Sequence, residues 1–264
     1  MYKNSSKTCI SVIIVYICLF LLLSLPTSAT SNACSWYCVR NKEHLQPRAD
    51  TSLRFVESYN CFYVDRKHSD NDRDKVVYLT FDAGYENGNI AKILDILKEE
   101  SVSGAFFILG NLIRKTPDLI TRMLAEGHIV ANHTMHHHDM SKVTDEKEFL
   151  KEITSLEKLY TEATGQVMAK YYRPPEGRFS EENLKWLKEN GYKTVFWSIA
   201  YADWDNENQP SCEFAKKKIL DHLHNGAVIL LHPTSATNAA VLKDLISEIR
   251  SEGYRFGTLD ELTA

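Results

Sequence analysis

Val76-Val77-Tyr78-Leu79-Thr80-Phe81 runs into Asp82-Ala83-Gly84, and variants of this arrangement recur along the chain. A short apolar run rich in β-formers ends beside a reactive polar residue, and a helical period follows. After the first run, Ile90, Ile93, Leu94 and Leu97 mark a helix over 89–100. Gly104-Ala105-Phe106-Phe107-Ile108-Leu109 reads as the next strand, and Thr116-Pro117 opens a helix that ends near Gly127. Ile129-Val130-Ala131-Asn132 is the third expected strand, and a long helix runs from about Asp145 to Ala163. Further strands are expected at 168–172, 194–199, 227–231 and 254–259, with helices between them over 181–190, 212–225 and 239–250. Apolar strands alternating with helices imply an α/β fold with a parallel sheet, and right-handed crossovers. The unit from Lys75 spans about 190 residues, short for the usual eight-stranded barrel of ~250. We therefore expect a distorted, TIM-like, seven-stranded (β/α) barrel over 75–264, preceded by an N-terminal arm over 30–74.

In such a barrel the C-terminal strand ends converge on one face, whatever their separation in sequence. Asp82, His133, Arg173, Asp203 and His232 each lie close after an expected strand. His133 and His137, in His133-Thr134-Met135-His136-His137, are expected to share one side if the chain turns helical after the third strand. That is a two-histidine metal site, with His136, His138 and Asp139 as neighbouring alternatives. Asp82 is placed to take a proton from an attacking water, and His232 to protonate a leaving amine. Arg173 would keep Asp82 oriented and ionised, and Asp203 would hold the His232 ring. Each also has a plainer reading: Asp82 as a turn residue, the others as rim salt-bridge or satisfied polar groups. Tyr85 and Trp204, with Trp197 and Tyr201, are candidate sugar-binding aromatics. Together these types suggest metal-assisted hydrolysis of an amide.

Lys3 and Lys7 precede an apolar run from Ile10 to Leu25, and Pro26-Thr27-Ser28-Ala29 follows with small residues. We expect residues 1–29 to be a secretory signal, or failing that an uncleaved anchor, and the remainder to act outside the cytoplasm. Membrane contact is expected only through that segment. The chain carries 31 basic and 35 acidic residues, and residues 1–29 hold two of the basic and none of the acidic ones. The rest is therefore acidic and excludes a basic nucleic-acid surface. A monomer is expected. Cys34, Cys38, Cys61 and Cys212 remain outside the targeting segment, either as two disulfides or as free thiols.

The segment from about Val76 to Leu262 resembles the polysaccharide deacetylases of carbohydrate esterase family 4, with the NodB-homology fold. Five motifs carry the resemblance in order: those around Asp82, around His133 and His137, Arg173-Pro174-Pro175-Glu176-Gly177, Asp203-Trp204, and Leu230-Leu231-His232. The resemblance implies a divalent metal, zinc before cobalt or manganese, held by His133 and His137. It implies Asp82 as base, His232 as acid, Arg173 orienting the base and Asp203 tuning the acid. Phe81-Asp82-Ala83-Gly84-Tyr85-Glu86-Asn87-Gly88 and Val195-Phe196-Trp197-Ser198 are similar to the delta-lactam-biosynthetic de-N-acetylase branch of spore-forming bacteria. That branch acts on peptide-free muramic acid in peptidoglycan strands, ahead of muramic delta-lactam formation in spore cortex. The alternatives are a deacetylase of other cell-wall glycans, on N-acetylglucosamine or O-acetyl groups, and a catalytically impaired cell-wall-binding protein.

Two positions depart from the family pattern. Ala83 stands where the family has a metal-binding aspartate, and Glu86 or Asp139 are the replacements the sequence offers. Glu176 stands where relatives often carry a basic residue.

Overall fold

The computed structural model describes residues 32–40 and 42–264. The expected targeting segment lies outside them, as do Cys9 and Cys18. No helix among the described residues is long and apolar enough to cross a membrane.

Seven strands form the expected barrel: β1 (Lys75–Ala83), β2 (Ala105–Ile108), β3 (Ile129–Asn132), β4 (Tyr171–Tyr172), β5 (Lys193–Val195), β6 (Ala227–Leu231) and β7 (Tyr254–Phe256). All pair in parallel, in the order β6-β1-β2-β3-β4-β5, and β7 joins the first residues of β1. Closure between β5 and β6 is thin. The chain after β5 meets β6 through one bridge, Ile199 to Ile229, and the hydrogen bonds Ser198 N to Val228 O and Leu230 N to Ile199 O, each 2.9 Å. This is why the strand expected over 194–199 ends at Val195.

The period of two along each strand divides the core. Val77, Leu79 and Phe81 of β1 face outward against Ile90, Ile93, Leu94 and Leu97 of helix Asn89–Glu99. Val76 and Tyr78 face inward, with Ala105, Phe107, Ala131, Tyr171, Val195 and Val228 from the other strands. Side chains cap the starts of two of the helices. Asp145 accepts from Glu148 N, and Ser180 and Asn183 form a reciprocal capping box. Two short helices, Gly110–Lys115 and Leu259–Thr263, lack a period long enough to read from sequence.

The arm is built into the barrel. Cys61–Phe62 adds a parallel strand beside β5, and Cys34–Ser35 pairs antiparallel with Arg178–Phe179. Trp36 stacks on Phe196 at 4.3 Å between ring centroids. The four cysteines are free thiols, and burial pushes Cys38 up to about 11.

Candidate active site

The inward set of each strand, continued past its C-terminal end, reaches a site residue. Val76 and Tyr78 continue to Thr80 and Asp82, Ala131 to His133, Tyr171 to Arg173, and Val228 to Leu230 and His232. Side-chain alternation alone therefore sends these residues to one mouth of the barrel. There, Asp82, His133, His137 and His232 line a cleft of about 970 Å³. Tyr85, Trp197, Tyr201 and Trp204 line it too, with Trp204 62 % exposed at its edge. Arg173 and Asp203 are buried and support the lining residues through hydrogen bonds.

Asp82 divides its two oxygens. Oδ1 accepts from Arg173 Nη1 at 2.8 Å, while Oδ2 lies 3.6 Å from His133 Nε2. Arg173 is fully buried. Its Nε donates to Val195 O (2.9 Å), and Nη2 to Thr80 Oγ1 (2.8 Å) and Phe196 O (3.2 Å). Its guanidinium lies 4.2 Å from the Phe107 ring centroid. Burial pushes the Asp82 carboxyl up, but Arg173, through its charge and hydrogen bond, and the charge of His232 hold it below its ordinary value.

His133 Nδ1 lies 2.8 Å from Arg173 O. A carbonyl only accepts, so Nδ1 carries the proton and Nε2 presents a lone pair. Burial lowers His133 to about 4, which keeps the ring neutral at neutral pH. The His137 ring centroid lies 5.1 Å away. The helical turn expected here is absent. Thr134 and His137 have φ of 75° and 61°, and the backbone partners lie elsewhere: Met135 N donates to Glu152 O, and Thr134 N to Asn132 Oδ1. The loop still brings the two rings together, by tertiary anchoring and not by helical spacing.

The two imidazoles lie side by side and are of the donor type a divalent metal takes, with Asp82 Oδ2 3.6 Å from His133 Nε2. Ala83 is buried and offers no donor atom. The sequence alternatives are committed elsewhere. Glu86 accepts from Gly88 N and Ile90 N at the start of helix Asn89–Glu99, and Asp139 accepts from Ser141 and pairs with Lys142 and Arg178. Neither lines the cleft. A different cluster, His136, His138 and Glu152, brings three donor atoms within 4.8 Å of one another on the rim. There His136 Nδ1 already lies 2.8 Å from Glu152 Oε1.

His232 receives the support expected of Asp203. Asp203 Oδ1 lies 2.7 Å from His232 Nδ1, and Oδ2 accepts from His232 N (2.8 Å) and Asn238 Nδ2 (2.6 Å). Burial opposes the imidazolium, yet the hydrogen bond and charge of Asp203, with Asp82 beyond, raise His232 above its ordinary value. With Nδ1 engaged, Nε2 is the nitrogen free to exchange a proton. Thr80 and Asn238 complete the support and were not singled out in sequence. Thr80 sits inside the first motif, but Asn238 carries no local signal.

Against known proteins, a polysaccharide deacetylase family model matches residues 69–195. The peptidoglycan-N-acetylmuramic acid deacetylase PdaA of Bacillus subtilis is 40% identical over 229 residues, covering 86% of this chain and 85% of that one. The chain belongs to the polysaccharide deacetylase family. The solved structure of that PdaA, a family 4 carbohydrate esterase, matches with TM-score 0.81 at 39% identity, covering 89% of this chain and 98% of the other. A peptidoglycan-N-acetylglucosamine deacetylase of Bacillus cereus is 34% identical over 190 residues, covering 70% of this chain and 67% of its own. Asp203 and His232 lie beyond the family match, and the likeness to PdaA extends over most of the chain.

Proposed function

We propose that this deacetylase removes N-acetyl groups from peptidoglycan, acting on muramic acid residues whose peptide has been removed. One observation carries the reading: Asp82, His133 and His232 line one cleft, with Arg173 hydrogen-bonded to Asp82 and Asp203 to His232. A divalent metal at His133 and His137 would polarise the acetyl carbonyl and activate water. Asp82, kept ionised by Arg173, accepts the proton of the attacking water at Oδ2. His232, protonated and held by Asp203, gives its Nε2 proton to the leaving nitrogen as the amide bond breaks. Tyr85 and Trp204 flank the site as surfaces for sugar rings. The resemblance to PdaA favours muramic acid. The freed amine then lies on the same sugar as the lactyl carboxyl, the pair needed for a delta-lactam, which suits a role in spore cortex. The expected signal or anchor would place the enzyme outside the cytoplasm, at the cell wall.

Acetate release from peptide-free muramic strands, N-acetylglucosamine oligomers and O-acetylated strands, measured side by side, tests the substrate. Loss of acetyl from muramic nitrogen, located by mass spectrometry, is the expected result. Release only from glucosamine or from oxygen would refute it.

The proton inventory also sets a pH profile. Activity needs His232 protonated, so it falls as pH rises through the His232 pKa. That limb should lie above the ordinary imidazole value of about 6.5. Asp203→Asn removes the charge that raises His232 and should move the alkaline limb to lower pH. An unmoved limb would mean that another group sets it.

A further inference from the structure

The cleft lining contains one charged residue that no motif supplied. Arg40 comes from the arm, and among the described residues it is the only arginine or lysine on that lining. Its placement follows from how the arm docks. Trp36 N donates to Gly177 O and Trp36 Nε1 to Trp197 O, both at 2.8 Å. Cys38 Sγ lies 3.7 Å from Ser198 O, and Arg40 Nη1 donates to Ala200 O at 2.8 Å. Alternate residues 36, 38 and 40 thus meet the carbonyls of Trp197, Ser198 and Ala200 in the segment after β5, as side chains on one face of an extended chain can. That segment is also cleft wall, through Trp197 and Ala200. Docking of the arm therefore sets a guanidinium on the wall.

The charge on Arg40 is uncommitted. Ala200 O takes one donor, and no carboxylate among the described residues pairs with it. Arg173 is buried against Asp82, and Arg178 lies 3.9 Å from Glu176. The carboxylates on the lining are Asp82 and Glu176. Each already has an arginine beside it, so on this wall a substrate carboxylate would find its cation in Arg40. A guanidinium suits that task, since its fork of donors matches a carboxylate.

Resting on the muramic acid reading above, we infer that Arg40 binds the lactyl carboxylate of the substrate and sets selectivity for peptide-free muramic acid. The lactyl group is what distinguishes muramic acid from glucosamine. Its carboxylate is free only after the peptide is gone, because a peptide converts it to a neutral amide. One contact then reads both features, and the arm becomes part of the active site.

The test compares kcat/KM of the full-length chain on two muramic oligosaccharides, one with a free lactyl carboxylate and one with it capped as the methylamide. Wild type should prefer the carboxylate by roughly tenfold to a hundredfold, the range for a hydrogen bond to a charged group. Arg40→Ala should bring the ratio close to one, and Arg40→Lys should restore part of it. Calorimetric titration with the peptide-free strand should show the same order of affinities without relying on turnover. If wild type releases muramic acetate but Arg40→Ala keeps the wild-type ratio and affinity, Arg40 is not the selectivity residue and the deacetylase reading stands. If wild type releases acetate only from glucosamine oligomers, the muramic reading fails and this inference fails with it.

Discussion

Asp82→Asn is expected to lower turnover at least about a hundredfold, the low end for a general base. The substitution is close to isosteric. The amide oxygen can still accept from Arg173 Nη1, which lies 2.8 Å from Oδ1. What is lost is the proton acceptor at Oδ2, 3.6 Å from His133 Nε2. His232→Ala should have an effect of similar size, because it removes the proton donor on the other side of the cleft. A thermal melt with each assay separates lost chemistry from lost folding. Wild-type turnover in a folded Asp82→Asn variant would remove Asp82 from the role of base.

Arg173→Met is expected to combine the largest stability loss with a shifted pH profile. Arg173 is fully buried, and three carbonyl or hydroxyl oxygens share its donors with Asp82. Breaking a buried ion pair at one end costs about 3–5 kcal/mol, much of it from the charge left behind. Here the charge left behind is Asp82. Arg173 holds that carboxyl below its ordinary value, so wild type keeps this stabilisation above the unfolded carboxyl value of about 3.9 and loses it as pH falls through the folded value. Without Arg173 the Asp82 pKa rises, the base is protonated at higher pH, and the acid limb of activity moves upward. Chemical denaturation and a pH–rate profile on the same variant check both parts. A variant as stable as wild type, with an unmoved acid limb, would show that Arg173 is peripheral to Asp82.

Much of this site can be read from sequence because a parallel barrel converts strand order into proximity. Asp82, His133, Arg173 and His232 each extend an inward-facing set of strand residues, so alternation alone carries them to the cleft. His137 lies beside His133 for a reason that helical spacing does not give. Helical spacing suggested it, whereas a loop with two positive φ values delivers it, held by bonds to residues such as Glu152 that are distant in sequence. Arg40 illustrates what sequence withholds. Nothing local distinguishes it from other surface arginines, and its position depends on Trp36 docking against Phe196 and Trp197. Glu86 and Asp139 are kept off the cleft lining for a comparable reason. Glu86 and Asp139 are close in sequence to the motifs, but backbone N–H groups and nearby cations claim their carboxylates.

The measurement that bears most directly on the central claim is acetate release from peptide-free muramic strands by protein stripped of metal and then given zinc, cobalt or manganese separately. Bound metal is counted in the same samples. Because His136, His138 and Glu152 form a rim cluster able to take up metal, the comparison is made in a His136→Ala/His138→Ala background, with and without His133→Ala. The account predicts that muramic acetate release returns with metal in that background, and that His133→Ala abolishes both the release and one equivalent of bound metal. Acetate release that ignores metal, or that survives His133→Ala unchanged, would contradict it.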